Sequence, residues 1–498
     1  MSRINTNVQS LIGQRVLGMN QGGLSTALER LSTGLKINRG KDDPAGLIAS
    51  ENLATEMKGI NAAITNADRA DQVVNIAEGG LQEVSGLLSE LQGLITTTAS
   101  SAGLSAEEKK ANQLQIDSIL QTIDRISSST SFQGTKLLNG SFDFKTSSVA
   151  AGVSDFRVNA AKFTGDSMKV DVLVTASAQQ AGLYTDFGGT SIDMTSGSSF
   201  VIEVAGSLGS RQLSFSSGTA LSDIAAAINT FSDVTGVEAS VSGNGIRMVS
   251  SGFGSSEYVS VKVVDGEVSG SGIAQFAAND DVAAASYTTF ANAKNGVRDT
   301  GQDLGATING VAATSEGRTA RINTDFLDVE INLDTDKSQA LGSVNSGGAF
   351  TITGGGADFQ LAGKVNIAGR VSLGIADVAT RKLGSSELGY LSELASGKGK
   401  NVVNGDLEAA QKVVSEAIRQ TSSLRGRLGA FQKNTIGATV RSLGVASENT
   451  AAAQSVIRDA DFATETASLT RSQILVSAST NILSMANSQP QTVLQLLG

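Results

Sequence analysis

The 498-residue sequence contains no cysteine, no histidine and no tryptophan, and only two prolines. Without cysteine and histidine the chain has no disulfide, no thiolate nucleophile, no imidazole base and almost no means of holding a transition metal. The most common catalytic groups are therefore missing. We predict no catalytic residue, no metal site and no cofactor, and we do not expect an enzyme.

Positive charge and long apolar runs are also scarce. Lysine and arginine number 38 against 48 aspartate and glutamate, which gives a net charge of -10 and disfavours a nucleic-acid or anionic-membrane surface. No apolar stretch reaches the roughly 18 residues that a membrane-spanning helix needs. The first residues lack the apolar core and cleavage site of a secretory signal peptide, so we do not expect export by that route.

The strongest pattern in the sequence is an apolar seam between residues 60 and 95, at alternating steps of three and four. Its positions are Ile60, Ala63, Ala67, Ala70, Val74, Ala77, Leu81, Val84, Leu88, Leu91 and Ile95. In a chain that is 40% hydrophobic, such a run arises by chance roughly four times in a hundred thousand. It is typical of a coiled-coil or bundle helix about 50 Å long. We predict a chain that is built as a rod.

Helix signals also surround this seam. Residues 4–35 predict an amphipathic helix that ends near Thr33, with one apolar face formed by Leu17, Leu24, Leu28, Leu31 and Leu35. Asp43 and Pro44 are typical of the cap and first turn of the helix that carries the seam. Ser105 and Glu108 have the spacing of a capping box and predict the start of a third helix.

The middle of the chain, residues 140–400, is rich in glycine, serine and threonine. Alternating segments predict strands at residues 200–204, 236–241, 245–249, 306–310 and 326–333. Residues 221–229 predict one short helix. We interpret this region as one or two β-rich domains inserted between helical ends.

The C-terminal part returns to helical periodicity. An apolar ladder follows Leu407, Ala410, Val414, Ala417, Thr421, Leu424, Leu428, Phe431, Thr435 and Ala438. The last segment, from residue 453, has a face of Leu475, Ala478, Ile482 and Met485 and an apolar tail that includes Val493, Leu494 and Leu497. We expect the N- and C-terminal helices to lie side by side. Lone amphipathic helices are marginal in water, so these two suit burial in an assembly.

The predicted fold class is therefore α+β and multidomain. N- and C-terminal helices pair into a coiled-coil-like rod, and β-rich domains are inserted in the middle. The expected boundaries are residues 1–35, a connector at 36–46, rod helices and the start of a β-hairpin at 47–140, the insert at 141–400, a rod helix at 401–450 and a last helix at 451–498.

Three carboxylate pairs and one glycine run are the candidate sites in the sequence. Asp42 and Asp43 suit a helix cap, Asp459 and Asp461 a helix start, and Asp280 with Asp281 a solvated loop, since none has the context of a calcium loop or a glycosidase. The glycines at 354–356 lack the Lys-Ser/Thr of a phosphate loop and predict a turn.

Short segments occur in a fixed order at the two ends: residues 4–7 (INTN), 28–38 (LERLSTGLKIN), 41–46 (KDDPAG), 471–475 (RSQIL) and 486–497 (ANSQPQTVLQLL). These segments are similar to the terminal signatures of bacterial flagellins. The resemblance covers about the first 140 and the last 95 residues. Residues 200–250 also resemble a β module that is inserted in some flagellins.

The resemblance implies a structural subunit that polymerises into the flagellar filament. Flagellin terminal helices form the inner tube, the long helices form the next shell, and inserted domains face outward. The implied partners are other copies of this chain, the flagellar export apparatus and a flagellin chaperone, and the junction and cap proteins of the filament. The implied location is extracellular, after export through the flagellum's own channel. The termini of such subunits are ordered only after polymerisation.

The same resemblance assigns roles to residues. The seam, with Leu407, Val414, Leu424, Leu428 and Phe431, would pack the rod helices. The leucines of the first helix, with Leu475, Ala478, Ile482, Met485, Val493, Leu494 and Leu497, would assemble the filament core. We further interpret the small residues of the seam as contacts that can adjust when the filament changes helical shape.

One segment departs from the family pattern. Flagellins that the animal innate receptor senses have arginines in a motif like L-x-R-V-R-E-L, whereas residues 88–94 read LSELQGL. Glu90 and Gln92 occupy the arginine positions, followed by Leu94. An acidic side chain there reverses the local charge, so we predict weak receptor activation.

Other functions remain open at this point. A hook–filament junction protein shares the helical ends, although residues 491–497 favour a filament subunit. A secreted adhesin would have its activity in the β-rich insert. An inserted catalytic domain normally brings a histidine metal signature, and this chain has no histidine.

Overall fold

A computed structural model describes residues 6–100, 103–276 and 286–497. The side chains of residues 196, 198 and 490–497 are not described. Three predictions therefore fall outside the described residues: the start of the INTN segment, the Asp280–Asp281 pair, and the side chains of Val493, Leu494 and Leu497.

The described residues form helices in both terminal regions and short helices in the middle. The α-helices are α1 Val8–Thr33, α2 Pro44–Thr98, α3 Ala106–Ser129, α4 Leu221–Asn229, α5 Ser232–Thr235, α6 Thr335–Gln339, α7 Leu407–Ala430, α8 Gly437–Arg458 and α9 Phe462–Leu497. Three 3-10 turns occupy Phe290–Asn295, Ile367–Gly369 and Leu391–Leu394.

In the described part of the chain, the strands all lie between residues 131 and 390. They are β1 Ser131–Phe132, β2 Thr135–Lys136, β3 Phe144–Ser147, β4 Val153–Ala161, β5 Met168–Val170, β6 Val172–Ala176, β7 Gly182–Asp186, β8 Met194–Gly206, β9 Ser210–Phe215, β10 Val237–Ser242, β11 Gly245–Ser250, β12 Tyr258–Val268, β13 Gly272–Gln275, β14 Val297–Thr300, β15 Gly305–Ile308, β16 Val311–Ala312, β17 Thr314–Glu316, β18 Thr319–Asn323, β19 Leu327–Leu333, β20 Gly342–Ser343, β21 Phe350–Gly355, β22 Ala357–Gln360, β23 Arg370–Leu373, β24 Gly384–Ser385 and β25 Gly389–Tyr390.

Four four-stranded sheets and one three-stranded sheet contain most of these strands. Their orders are β10-β11-β7-β13, β14-β12-β8-β9, β16-β15-β6-β20, β17-β18-β19-β4 and β3-β21-β5, with two-stranded sheets β1-β2, β22-β23 and β24-β25. The five strand segments predicted from alternation overlap β8, β10, β11, β15 and β19, and the short helix predicted at residues 221–229 is α4. These predictions are confirmed, because alternating side chains on half-buried strands leave a clear signal.

The chain divides into two units. The terminal unit comprises Met1–Asp71, Gln360–Gly369 and Phe431–Gly498, and the central unit comprises Gln72–Phe359 and Arg370–Ala430. Helices α1, α8 and α9 belong to the terminal unit, α3 and α7 to the central unit, and α2 contributes to both.

The described residues of the central unit contain two hydrophobic clusters that are formed mainly by β-strand residues. In the first cluster, Phe200 is fully buried and meets Phe187 and Phe290 edge-on, with ring centroids 6.0 and 5.5 Å apart. In the second, Phe156 stacks on Phe350 at 4.5 Å. Aromatic pairs in these geometries add to the stabilisation from buried area. The described part of the insert therefore contains two β-rich cores.

Local signals at the helix ends are confirmed. Asp43 Oδ1 accepts from the Gly46 backbone N–H at 2.9 Å, and α2 begins at Pro44. Ser105 and Glu108 form both hydrogen bonds of a capping box at the start of α3. The Asp43 hydrogen bond and the Ser105–Glu108 capping box both satisfy backbone N–H groups that have no partner within the first turn of a helix.

The C-terminal ladder is less regular than its sequence predicts. Between α7 and α8, residues Phe431–Ile436 form a π-helical turn. Such a turn accommodates an extra residue and shifts the face that follows. The next break, at residues 459–461, lies C-terminal to the boundary expected at 450/451. No helix in the described part of the chain has the length and apolar character to cross a membrane.

Candidate self-association surfaces

The seam predicted on α2 is buried along its length. In the terminal unit, Ile60, Ala63, Ala67 and Ala70 are no more than 6% exposed. In the central unit the remaining positions, Val74, Ala77, Leu81, Val84, Leu88, Leu91 and Ile95, are at most 1% exposed. Apolar side chains removed from water at this spacing stabilise helix packing.

Helices α3 and α7 also bury apolar faces in the central unit. On α7, Val414, Leu424 and Leu428 are buried, whereas Leu407 is half-buried at the helix start. Arg425 Nε donates to Glu78 Oε1 at 2.8 Å and joins α7 to α2. In the terminal unit, Phe431 is 8% exposed and begins the π-helical turn.

Close packing of α2 depends on a glycine in the central unit. A Cβ atom at Gly80 would lie 2.7 Å from Leu138 Cδ1 and 2.9 Å from Thr130 Oγ1, too close for any other residue without a shift. The neighbouring Gly79 has open space around it. Gly80 is therefore the position where another element approaches the helix.

Helices α1 and α9 lie side by side in the terminal unit, as predicted, and the contacts between them show that they run antiparallel. Polar contacts join them at both ends and the middle: Ser10 Oγ to Asn487 Oδ1 at 2.7 Å, Asn20 Nδ2 to Ser479 Oγ at 2.6 Å, and Arg30 Nη1 to Glu465 Oε1 at 3.0 Å. Such polar contacts specify a register, because a slip leaves each group without its partner.

The predicted apolar face of α1 is only partly covered. Leu17, Leu24 and Leu31 are half-buried, and Leu28 is 49% exposed. Leu35 lies beyond the helix, because α1 ends at Thr33 and Gly34 adopts a left-handed conformation as its C-cap. Placing Leu35 on the helical face was therefore wrong.

A second apolar stripe on α1 was missed from the sequence. It consists of Val8, Leu11, Ile12, Val16 and Met19, which are all between 39% and 70% exposed. Its spacing of three and four residues is readable in the sequence, but it lies opposite the stripe that was identified first. An exposed apolar stripe of this length indicates a binding surface.

The predicted face of α9 is also exposed. Leu475, Ile482 and Met485 are 44–64% exposed, and Ala478 is exposed with them. The side of α9 that meets α1 includes the buried residues Ser479 and Ala486. Leu475, Ala478, Ile482 and Met485 are therefore available for a partner outside the α1–α9 pair.

The two carboxylate pairs that lie among the described residues have structural roles. The Arg39 backbone N–H donates to Asp42 at 2.9 Å, and this hydrogen bond lowers the pKa of Asp42. Asp461 accepts from Thr464 and from the Ala463 backbone N–H, which lowers the pKa of Asp461 and caps α9. Asp459 Oδ2 accepts from Ser455 Oγ at 2.5 Å. Among the described residues no cluster of three or more acids is placed to hold a metal ion.

The glycine run at 354–356 is a turn, as predicted. All three residues have positive φ, between 79° and 137°, where β21 passes into β22. Positive φ is a conformation that glycine adopts without steric cost.

The segment compared with the innate-receptor motif lies on α2. Glu90 is exposed there, and Gln92 and Leu94 are half-buried. The acidic side chain is therefore presented at the surface of the helix.

A charged cavity of about 520 Å³ is lined by residues of α7, β4, β18 and β19 in the central unit. Burial lowers the pKa of Arg427 to about 10, and its guanidinium donates to Asn159 Oδ1. Glu416 pairs with Arg157 at 3.4 Å and with Arg419 at 2.7 Å. Because Glu416 lies on α7 and Arg157 lies on β4, this ion pair joins α7 to the sheet.

Comparison with known families matches three segments of the chain. The bacterial flagellin N-terminal helical region matches residues 4–143, and the bacterial flagellin C-terminal helical region matches residues 411–497. The flagellin hook IN motif matches residues 199–252. These segments coincide with the helical ends and with the strands around Phe200.

Curated relatives align along almost the whole chain. A flagellin of Salmonella rubislaw is 29% identical over 522 residues, and the B-type flagellin of Pseudomonas aeruginosa is 28% identical over 553 residues. Each alignment covers 99% of this chain and 99% of the relative. The length and order of the regions are therefore shared.

Among solved structures, FliC from Burkholderia pseudomallei is 15% identical and covers 73% of this chain and 99% of that chain, with a TM-score of 0.22. The two terminal matches coincide with the helices described above, and the curated flagellins align with the chain from end to end. The chain belongs to the bacterial flagellin family.

Proposed function

We propose that this chain is the structural subunit of a flagellar filament, which assembles from many copies and serves swimming motility. The observation that carries the proposal is the exposure of apolar stripes on α1 and α9. Val8, Leu11 and Met19 on α1, with Ile482 and Met485 on α9, are more than 40% exposed. Apolar surface of this extent is unfavourable in water and is stabilised when copies bury it.

The test is seeded polymerisation of purified protein, followed by electron microscopy. The full chain should elongate seeds into long filaments, whereas a version that lacks residues 1–33 and 462–498, and thus α1 and α9, should not. Circular dichroism of the shortened version controls for loss of the remaining helices. Short caps or soluble monomer from the full chain would contradict the proposal and favour a junction protein or an adhesin.

We assign the regions as the family resemblance implies. Residues 1–35 and 451–498 form the filament core, 47–140 and 401–450 form the rod after the connector at 36–46, and 141–400 faces outward. The helix break after Thr33 supports the first boundary, whereas α8 runs through the 450/451 boundary and ends at Arg458. Limited proteolysis tests this assignment. In the filament, the insert should be cleaved first, and cleavage that begins in α1 would contradict it.

The proposed role of the site residues follows from this assignment. The α2 seam and its α7 partners hold each subunit together, and the stripes of α1 and α9 join subunits. Leu475→Ser should therefore raise the critical concentration for elongation about tenfold while the melting of the monomer is unchanged, since a leucine buried between copies contributes over 1 kcal/mol. Equal critical concentrations would remove Leu475 from the assembly surface.

We further propose export through the flagellum's own channel, with a flagellin chaperone before export and with junction and cap proteins at the filament ends. The family resemblance supports these partners. Secretion that stops in cells without a flagellar export apparatus would agree with this route. Continued secretion there would contradict it. The family also supports a purely structural role, so we expect no catalytic activity.

We propose that innate-receptor activation is weak. Glu90 is exposed on α2, where activating family members have a cation. A reporter-cell assay should give little response to the purified monomer, and the double variant Glu90→Arg with Gln92→Arg should give more. A potent response to the unmodified chain would contradict this proposal.

A further inference from the structure

The turn between β22 and β23 forms a projecting tip in the terminal unit. This hairpin tip, residues 361–369, includes Val365, which is 93% exposed, and Ile367, which is 42% exposed. No other large hydrophobic side chain among the described residues is as exposed as Val365. Neither the sequence patterns nor the assembly stripes on α1 and α9 account for it.

Hydrogen bonds fix the shape of the hairpin tip. Gln360 Nε2 donates to the carbonyl oxygens of Ala362 at 3.1 Å and Lys364 at 2.8 Å. The Gly369 backbone N–H donates to Asn366 Oδ1 at 2.7 Å, and the Leu361 N–H donates to the Gly369 carbonyl at 2.9 Å. Val365 is therefore presented by an ordered loop, so burying it costs little conformational entropy.

The base of the hairpin tip is seated on α2. A Cβ atom at Gly59 would lie 2.7 Å from the Gly363 carbonyl oxygen, so the two backbones meet at a distance that only glycine allows. Asn66 Nδ2 also donates to the Gln360 carbonyl oxygen at 3.3 Å. The tip is thus held on a long helix while its apolar end points into solvent.

We infer that the hairpin tip is a contact between copies of this chain in the filament, with Val365 buried in a neighbouring subunit. This inference rests on the proposed function. The tip belongs to the unit that also carries the exposed stripes of α1 and α9, which is the unit that we assign to assembly between copies. Lys364 adds a positive charge at the tip, which suits a neighbour whose net charge is -10.

The absence of cysteine permits a site-specific test. Val365→Cys in the full chain is labelled with a benzophenone maleimide and irradiated before and after seeded polymerisation. The expected result is a covalent dimer in filaments and none in monomer at the same concentration. Leu208→Cys, at a side chain of the central unit that is 66% exposed, is the matched control and should give much less dimer.

A second variant tests the energy of the contact. Val365→Asp should raise the critical concentration for elongation about tenfold, while thermal unfolding of the monomer is unchanged because the side chain contacts solvent there. Leu208→Asp should change neither. Labelled filaments that form without cross-linked dimer, or an unchanged critical concentration, would overturn the inference and leave the filament function standing. Failure of the unmodified chain to polymerise would instead overturn the proposed function.

Discussion

The terminal and central units use apolar side chains in opposite ways. The central unit contains both β clusters, with side chains such as Phe200 and Phe350 almost fully buried. The terminal unit holds less than a third of the chain, yet it has more than half of the large hydrophobic side chains that are exposed among the described residues. In α8, no residue is buried at all.

This difference separates folding from assembly. Buried apolar area stabilises the central unit within one chain. The exposed stripes of α1 and α9 gain that stabilisation only when a partner covers them. Substitutions in the central unit should therefore change unfolding, whereas those in the terminal unit should change polymerisation.

Phe200→Ala gives the largest expected effect. It removes a buried ring that contacts Phe187 and Phe290, so the free energy of unfolding of the central unit should fall by about 3–5 kcal/mol. Urea unfolding measures the loss, with Val264→Ala at a 41% exposed position as the control. Filaments should still form. If this variant lost assembly while the stability of the central unit stayed unchanged, the contrast between folding in the central unit and assembly through the terminal unit would be contradicted.

Ala77→Leu tests the small residues of the α2 seam. Ala77 is fully buried, so a larger side chain should overpack the seam and cost about 1–3 kcal/mol. Because we interpret these small residues as adjustable contacts, Ala77→Leu and Ala70→Leu should also alter filament shape in electron micrographs. The exposed Gly79→Ala is the control. An unchanged shape in both variants would rule out this role.

Arg30→Gln tests the α1–α9 register. The Arg30–Glu465 ion pair is 3.0 Å long and its side chains are 27% and 11% exposed, so its loss should cost about 1–2 kcal/mol of filament stability. The measurement is the temperature at which filaments dissociate. Exchanging the charges, with Arg30→Glu and Glu465→Arg together, should restore part of the loss. If the exchange is no better than either single variant, the pair does not set the register.

Ser105→Ala should lower the unfolding free energy of the central unit by about 1 kcal/mol, because it removes the capping box of α3. Ser89→Ala, at an exposed serine inside α2, is the control. Thermal unfolding compares the two. Equal melting temperatures would show that the cap contributes nothing measurable.

The smallest expected effect is a pH dependence at the start of α9. Hydrogen bonds from Thr464 and the Ala463 backbone lower the pKa of Asp461 below its ordinary value of 3.8. The stabilisation from this cap is therefore complete above pH 3.8 and is lost as the pH falls through the lower, folded pKa. Amide exchange of Ala463 and Thr464 should increase in that acidic window, and Asp461→Asn should abolish the pH dependence. Asp459→Asn should leave it unchanged.

The helices and many strands could be predicted because their signals are local. The seam of α2, the capping box at Ser105 and the alternation around Phe200 each depend on residues that are close in sequence. The candidate surface was predicted in part. Leu475, Ile482 and Met485 were identified as an apolar face, but periodicity cannot tell which face of a helix meets its neighbour. The stripe from Val8 to Met19 was missed for that reason.

The α+β class, the helical ends, the β-rich middle and the family follow from the sequence alone, because periodicity, capping residues and terminal motifs depend on residues that are close in sequence. Only the tertiary structure decided which strands pair, where the π-helical turn falls, and that Gly59 meets Gly363 so that Val365 projects into solvent. These features join residues that are distant in sequence, and their energies depend on packing geometry that no local pattern specifies.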